Sequence, residues 1–329
     1  MNSILGIHHI TAIAGDPQQN IDFYTGVLGL RLVKVTVNFD DPEAYHLYYG
    51  DGHGRPGTIL TFFAWPGAAR GRQGNGQVTA AAFAVPKDSL AFWRGRLAAN
   101  GITFEELPER FGQKVLAFAD GDGMRLELVE ALVTESSHVW EGGAVSAEFA
   151  VHGFHGATLS ETGYERTAAL LTETMGFRLM GQEHGRFRYE AFHSQGGSRG
   201  DHSHAAAAGR TIDVICAPAA PEGRVAVGAI HHIAFRTPND AQQRQWLAKV
   251  SGLGYNASPV MDRVYFHSIY FREPGGILFE IATDSPGFAV DEPLEKLGEA
   301  LQLPPWLQTL RPRIEAALPP IRRKQRVAS

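Results

Sequence analysis

Val27-Leu28-Gly29-Leu30-Arg31-Leu32 returns almost unchanged as Thr174-Met175-Gly176-Phe177-Arg178-Leu179, and both stretches sit where an amphipathic helix gives way to a strand. Glycine at such a junction takes a left-handed backbone that other residues enter only at a steric cost, so each stretch marks a helix end. Gly101 and either Gly252 or Gly254 end two more helices in the same way. Working outward from these glycines, helices are predicted near 17–28, 87–100, 161–175 and 238–250. Apolar strands open the units at 6–14, 79–85, 153–159 and 229–236, and others close them at 58–63, 125–129, 211–215 and 277–282. One βαβββ unit therefore occurs four times, too long a period for a solenoid.

Such a unit has one wet helix face and one curved sheet, and it buries the sheet only against a second copy. The predicted class is α+β: four βαβββ modules forming two paired, barrel-like, curved mixed sheets. Aligning the opening strands places His9, Ala80, Gly156 and His232 in register, at spacings of 71, 76 and 76 residues, and aligning the closing strands does the same for Thr61, Glu127, Asp213 and Glu280. A linker at 134–145 divides a domain at 1–140, holding modules one and two, from one at 146–329, holding modules three and four and a tail of short helices built on Leu297, Leu301, Leu303, Trp306, Leu307 and Leu310. A glycine- and alanine-rich loop is predicted at 194–209, and the end, from Arg322-Arg323-Lys324-Gln325-Arg326 on, reads as solvated chain.

Composition narrows the function classes. The 329 residues are 44% apolar and 20% charged, with a net charge of −5, so no basic excess points to nucleic acid or to a membrane surface. Cys216 is the sole cysteine, as expected of a chain kept in a reducing compartment, and the first ten residues lack the basic and apolar regions of a signal peptide. The expectation is a cytoplasmic protein acting on a small molecule, with room for a homo-oligomer. Histidine is the exception to an ordinary composition: there are 14, twice adjacent, at His8-His9 and His231-His232.

Side chains alternate along a strand, so only one member of each doublet faces the concavity of a sheet unless a bulge intervenes. Pairing modules one and two gathers His9, Thr61, Ala80 and Glu127, and pairing three and four gathers Gly156, Asp213, His232 and Glu280. Pairing one with four gathers His9, Thr61, His232 and Glu280, which is two imidazoles and a carboxylate. That set suits Fe(II) ahead of Mn(II), Ni(II) or Zn(II), and it leaves one side of the ion open to guests. The one-plus-four pairing is therefore expected, with His9, His232 and Glu280 as metal ligands. An unpaired carboxylate between Phe279 and Ile281 would otherwise be costly to bury. His46, His155, His184 and His193 read as structural, and Asp201-His202-Ser203-His204 as surface residues.

The pieces Gly6-Ile7-His8-His9-Ile10-Thr11, Ala44-Tyr45-His46-Leu47-Tyr48-Tyr49, Gly228-Ala229-Ile230-His231-His232 and the run from Arg263 to Glu280 resemble the vicinal oxygen chelate (glyoxalase/extradiol dioxygenase) superfamily, in particular its four-module hydroquinone-cleaving ring dioxygenases. The resemblance spans 5–290. It implies a non-haem Fe(II) enzyme that opens a hydroquinone- or catechol-type ring with both atoms of O2, with His9, His232 and Glu280 on the metal. Tyr270, Arg263 and His231 match its catalytic positions, where Tyr270 or His231 would relay a proton and Arg263 would stabilise a developing oxyanion. His8 and Thr11 match residues lining or bracing the substrate pocket. Two rivals keep the scaffold: a glyoxalase-like lyase or isomerase, against which the non-carboxylate Thr61 argues, and a non-catalytic binder of small aromatics.

Overall fold

The computed structural model describes residues 3–133, 139–192 and 208–322. Each module has the predicted order. Module one runs β1 (Ile7–Ala14), α1 (Pro17–Ile21), β2 (Arg31–Asn38), β3 (Asp41–Gly50) and β4 (Ile59–Ala64); module two runs β5 (Gln77–Pro86), α2 (Leu90–Ala99), β6 (Phe104–Arg110), β7 (Gln113–Ala119) and β8 (Arg125–Ala131). Module three runs β9 (Phe154–Glu161), α3 (Glu165–Ala169), β10 (Phe177–Glu183), β11 (Arg186–Ala191) and β12 (Thr211–Cys216); module four runs β13 (Ile230–Thr237), α4 (Asp240–Gly252), β14 (Met261–Asp262), β15 (Phe266–Arg272) and β16 (Leu278–Pro286).

The helix-ending glycines have φ of 71° at Gly29, 69° at Gly101, 84° at Gly176 and 88° at Gly254, so Gly254, beyond the end of α4, takes the left-handed turn. Helices one and three are only partly α: Asp22–Val27 and Leu170–Thr174 widen into π-helical turns. Two helices, α2 at Leu90 and α3 at Glu165, start well after their predicted positions 87 and 161. Asp88 has a φ of 65°, which holds the chain out of helix before α2. Glu161 belongs to β9, where its backbone pairs with Cys216.

Two eight-stranded mixed sheets result, ordered β14-β15-β16-β13-β1-β4-β3-β2 and β10-β11-β12-β9-β5-β8-β7-β6. Modules one and four share the first sheet, modules two and three the second. In each, the two opening strands lie antiparallel at the centre and each closing strand runs parallel beside its own opening strand. Thr61, Glu127, Asp213 and Glu280 lie opposite Thr11, Ala82, Thr158 and Ala234, always two residues beyond the aligned opening-strand position. The four-way register holds in every module.

Apolar faces of both sheets and the inner faces of the helices form the core, with Trp93, Trp246, Tyr24 and Phe83 among its fully buried side chains. The tail packs on the first sheet through Leu297, Leu303 and Leu307, and the buried Lys34 ammonium reaches back to Asp291 and Glu292. Trp306 and Leu310, predicted to pack with them, are exposed, because the short helix Pro305–Leu310 turns only its Leu307 side inward. No helix among the described residues is long and apolar enough to cross a membrane. Positions 134–138 of the linker, 194–207 of the loop with Asp201-His202-Ser203-His204, His193, and the chain from Arg323 on lie outside the described residues.

A buried acid pair joins the two sheets. The Thr167 hydroxyl lies 2.8 Å from Glu161 Oε2 and 2.5 Å from Glu273 Oε2, and a hydroxyl has one proton to give. One carboxyl must therefore carry a proton of its own. Glu273 accepts the Gly275 and Ile277 amides. Burial and then the Glu273 charge push Glu161 up to about 8, so Glu161 holds the proton at neutral pH.

Candidate metal centre

Strand pairing assembles the centre. β1 and β13 lie side by side, β16 flanks β13, and the imidazoles of His9 and His232 converge with the carboxylate of Glu280 from the concave face. Glu280 Oε2 is 2.9 Å from His232 Nε2 and 3.3 Å from His9 Nε2, and the two Nε2 atoms are 3.4 Å apart. Among the described residues this is the one group of three histidine, cysteine or acidic side chains close enough to hold an ion. All three are at least 95% buried.

The protonation states match what a metal requires. Burial pushes the Glu280 carboxyl up, but His9 and His232 outweigh it and hold it well below the ordinary carboxylate range. Burial keeps His232 neutral against the pull of Glu280. Glu280 Oε1 accepts a hydrogen bond from the Ser268 hydroxyl, whereas Oε2, aimed at both imidazoles, accepts none. A fully buried carboxylate oxygen without a donor, facing two imidazole nitrogens, fits a divalent cation and has little other justification.

The outer histidines set the inner ones. Register slips by one residue at His8 and again at His231, so a β-bulge turns each of them, against plain alternation, back toward its neighbour. His8 Nδ1 lies 2.9 Å from His9 Nδ1, and His231 Nδ1 lies 2.8 Å from His232 Nδ1. Occupying Nδ1 leaves Nε2 of both inner rings for an ion, as hydrogen-bonded outer partners do for metal-bound histidine. Burial lowers both outer rings, His8 well below the usual range and His231 to about 3, so each has a neutral nitrogen lone pair to offer.

A cavity of about 280 Å³ opens over His9 and His232, with the fully buried Glu280 against them, and is lined further by Thr11, His231, Arg263 and Tyr270 and walled by Phe39, Phe63, Trp65, Phe266 and Leu278. Tyr270 stands opposite Glu280 in the strand register, and its hydroxyl is 3.2 Å from Arg263 Nε, while Arg263 also reaches Asp40 at 3.2 Å. Burial and then the Glu280 charge raise the Tyr270 phenol, so it is a donor at neutral pH. The structure thus brings His9, His232, Thr11, His231, Arg263 and Tyr270 to one cavity, with Glu280 against His9 and His232 and His8 behind His9.

Three functional candidates escaped the sequence reading. Ser268 holds Glu280, and His46 and Tyr48 line the cavity. Their signal lies in the repeat: Tyr48 pairs with Thr61 as Tyr270 pairs with Glu280, and His46 pairs with Phe63 as Ser268 pairs with Ala282. Aligning Tyr45–Tyr49 on 267–271 would have found all three. The equivalent place in the second sheet holds guanidinium groups. Arg110 clasps Glu127 at 2.8 and 3.0 Å, and Arg186 and Arg188 clasp Asp213 at 2.8–3.0 Å, so those carboxylates are satisfied without an ion.

Comparison with known proteins agrees with the fold. The model of the Glyoxalase/Bleomycin resistance protein/Dioxygenase superfamily matches residues 6–128 and again 153–281. A Bacillus subtilis (strain 168) protein named "Putative ring-cleaving dioxygenase MhqO" is 47% identical over 316 residues, 96% of each chain. The chlorohydroquinone/hydroquinone 1,2-dioxygenase of Sphingobium indicum (strain UT26S) is 34% identical over 309 residues, 92% of each chain. A crystal structure of a Bacillus subtilis subsp. subtilis str. 168 chain, also bearing a dioxygenase name, superposes with a TM-score of 0.90 at 45% identity, covering 98% of this chain and 99% of the other. Four βαβββ modules in two sheets, matched twice by one family model and end to end by these relatives, make this chain a member of the Glyoxalase/Bleomycin resistance protein/Dioxygenase superfamily.

Proposed function

We propose that this protein is an Fe(II)-dependent ring-cleaving dioxygenase that opens a hydroquinone- or catechol-type aromatic with O2, its metal held by His9, His232 and Glu280. The observation that carries the reading is the donorless Glu280 Oε2 facing two Nε2 atoms at the floor of an aromatic-walled cavity. Near 280 Å³, the cavity is at the small end of ligand sites, a size suited to one ring with few substituents. The names of the relatives point the same way.

The metal, when bound, supplies an acceptor for a phenolate oxygen and a route for electrons from the ring to dioxygen. The chain's own groups do the rest. Phe39, Phe63, Trp65 and Phe266 exclude water and hold the ring by its faces and edges. His231, its Nδ1 turned to His232, lines the cavity with Nε2–H left to donate to a guest oxygen. Tyr270 donates to oxygen on which negative charge grows, and Arg263, 3.2 Å behind it, steadies that charge. A four-ligand lyase site would need a fourth ligand at Thr61, whose hydroxyl is instead engaged by His46 and Thr11.

The test is oxygen uptake. Protein loaded with Fe(II) without air should consume O2 with a hydroquinone or catechol and release a ring-opened product. Iron-loaded protein that takes up no oxygen across a panel of such diols would refute the reading.

A further inference from the structure

Four polar groups on the module-one side of the cavity form a chain with no side branch. Tyr48 Oη lies 2.9 Å from His46 Nδ1, His46 Nε2 lies 2.8 Å from Thr61 Oγ1, and Thr61 Oγ1 lies 2.9 Å from Thr11 Oγ1. Both ends, Tyr48 and Thr11, line the cavity, and so does His46 itself. Tyr48 and Phe63 fix the imidazole plane, with ring centroids at 4.1 and 4.3 Å.

The proton count along this chain allows two polarities. In one, Tyr48 O–H donates to Nδ1, Nε2–H donates to Thr61 and Thr61 O–H donates to Thr11, which leaves the Thr11 proton for the cavity. In the other, every bond reverses and the Tyr48 proton is left for the cavity. A neutral imidazole serves both, because one ring nitrogen donates while the other accepts.

We propose that His46 is a positioning residue that couples the Thr11 and Tyr48 hydroxyls, its tautomer deciding which end of the cavity is offered an O–H donor. This rests on the dioxygenase reading above for the nature of the guest. One pass moves one proton: a guest O–H breaks as its proton goes to Tyr48 Oη, the Tyr48 proton moves to Nδ1, the Nε2 proton to Thr61 and the Thr61 proton to Thr11. The Thr11 proton then goes to an anionic guest oxygen at the other end. One proton enters, one leaves, no electron moves and the ring never carries net charge. That suits the surroundings: burial first, then His9, His232 and Arg263, oppose a cationic ring, with Glu280 alone favouring it. The repeat shows the specialisation. Ser268 holds the Glu280 ligand at the place where His46 holds Thr61 in module one.

The test reads the ring directly. Two-bond 1H–15N spectra of histidine-labelled full-length protein, loaded with diamagnetic Zn(II) and without a diol, report which His46 nitrogen carries the proton. An orphaned N–H costs more than an orphaned acceptor. Tyr48→Phe should therefore place the proton on Nε2, and Thr61→Val should place it on Nδ1. The same tautomer in both variants, or a doubly protonated ring at pH 7, overturns the coupling. In oxygen uptake by the iron form, each variant should lower kcat by about 10²-fold, at the low end of general acid–base effects, with KM little changed. The double variant should lose no more than the worse single variant, and losses that multiply overturn the proposal. Wild-type iron protein inert toward every diol refutes the functional reading alone, and the tautomer spectra then decide whether the coupling stands.

Discussion

Removing the Ser268 hydroxyl should weaken metal binding without unfolding the chain. Ser268 is fully buried on β15 and donates to Glu280 Oε1, fixing the carboxylate so that Oε2 faces the two imidazoles. Ser268→Ala deletes one oxygen and adds no bulk, so the strand pairing of Ser268 with Ala282 persists. A hydrogen bond to a charged group contributes about 1.5–3 kcal/mol. At roughly 1.4 kcal/mol per factor of ten, that is about 10–150-fold in affinity. Outer partners of metal ligands, measured as a class, fall in the same range of about 10–100-fold. Full loss is not expected, because His9, His232 and Glu280 all remain. The assay is anaerobic competition of Fe(II), and separately Zn(II), against a coloured chelator, with thermal unfolding as the control for folding. Affinity within about two-fold of wild type, for a variant that unfolds normally, would show that the Ser268 contact does not orient Glu280, and the logic of the outer shell would fail with it.

His232→Ala and Glu280→Ala should each lose most bound metal by elemental analysis, whereas Glu127→Ala and Asp213→Ala should keep it. Asp213→Ala strands Arg186 and Arg188, however, and should cost about 3–5 kcal/mol in denaturant unfolding, the range for breaking a buried ion pair. Tyr270→Phe should keep iron and lower kcat, and an unchanged rate would return Tyr270 to a packing role. Glu161 has a folded pKa raised to about 8 from an ordinary 4.5, so its contribution is complete below 4.5 and is lost as pH rises through 8. Unfolding free energy should carry from this group a fall of about 1.4 kcal/mol per pH unit between those values, which Glu161→Gln should abolish.

What could be read from the chain was whatever repeats. Spacing alone put His9 and His232 at equivalent places on the opening strands and Glu280 at the place of Thr61 on the closing strands, because strand register is a matter of counting and the count survives in all four modules. The chemistry of the ligand set then chose between pairings that geometry left equal. Bulges at His8 and His231 were not legible, since an inserted residue leaves no mark on composition and shows only when the partner strand is present. Ser268, His46 and Tyr48 escaped for a related reason: each matters through what lies across the sheet, and a serine in an apolar strand carries no signal of its own. The late start of α3 followed from a contact distant in sequence, the backbone of Glu161 pairing with Cys216 in β12.

The nesting of the two sheets dictates a timetable for biosynthesis. Everything in the second sheet lies between Gln77 and Cys216, so that half has all its partners once the middle of the chain has left the ribosome. The first sheet joins β1 to β13, more than 200 positions downstream, and module one must wait with its central edge bare until module four arrives. Assembly of the His9, His232 and Glu280 group is consequently a late event of maturation, closed to any nascent fragment that stops short of Glu280.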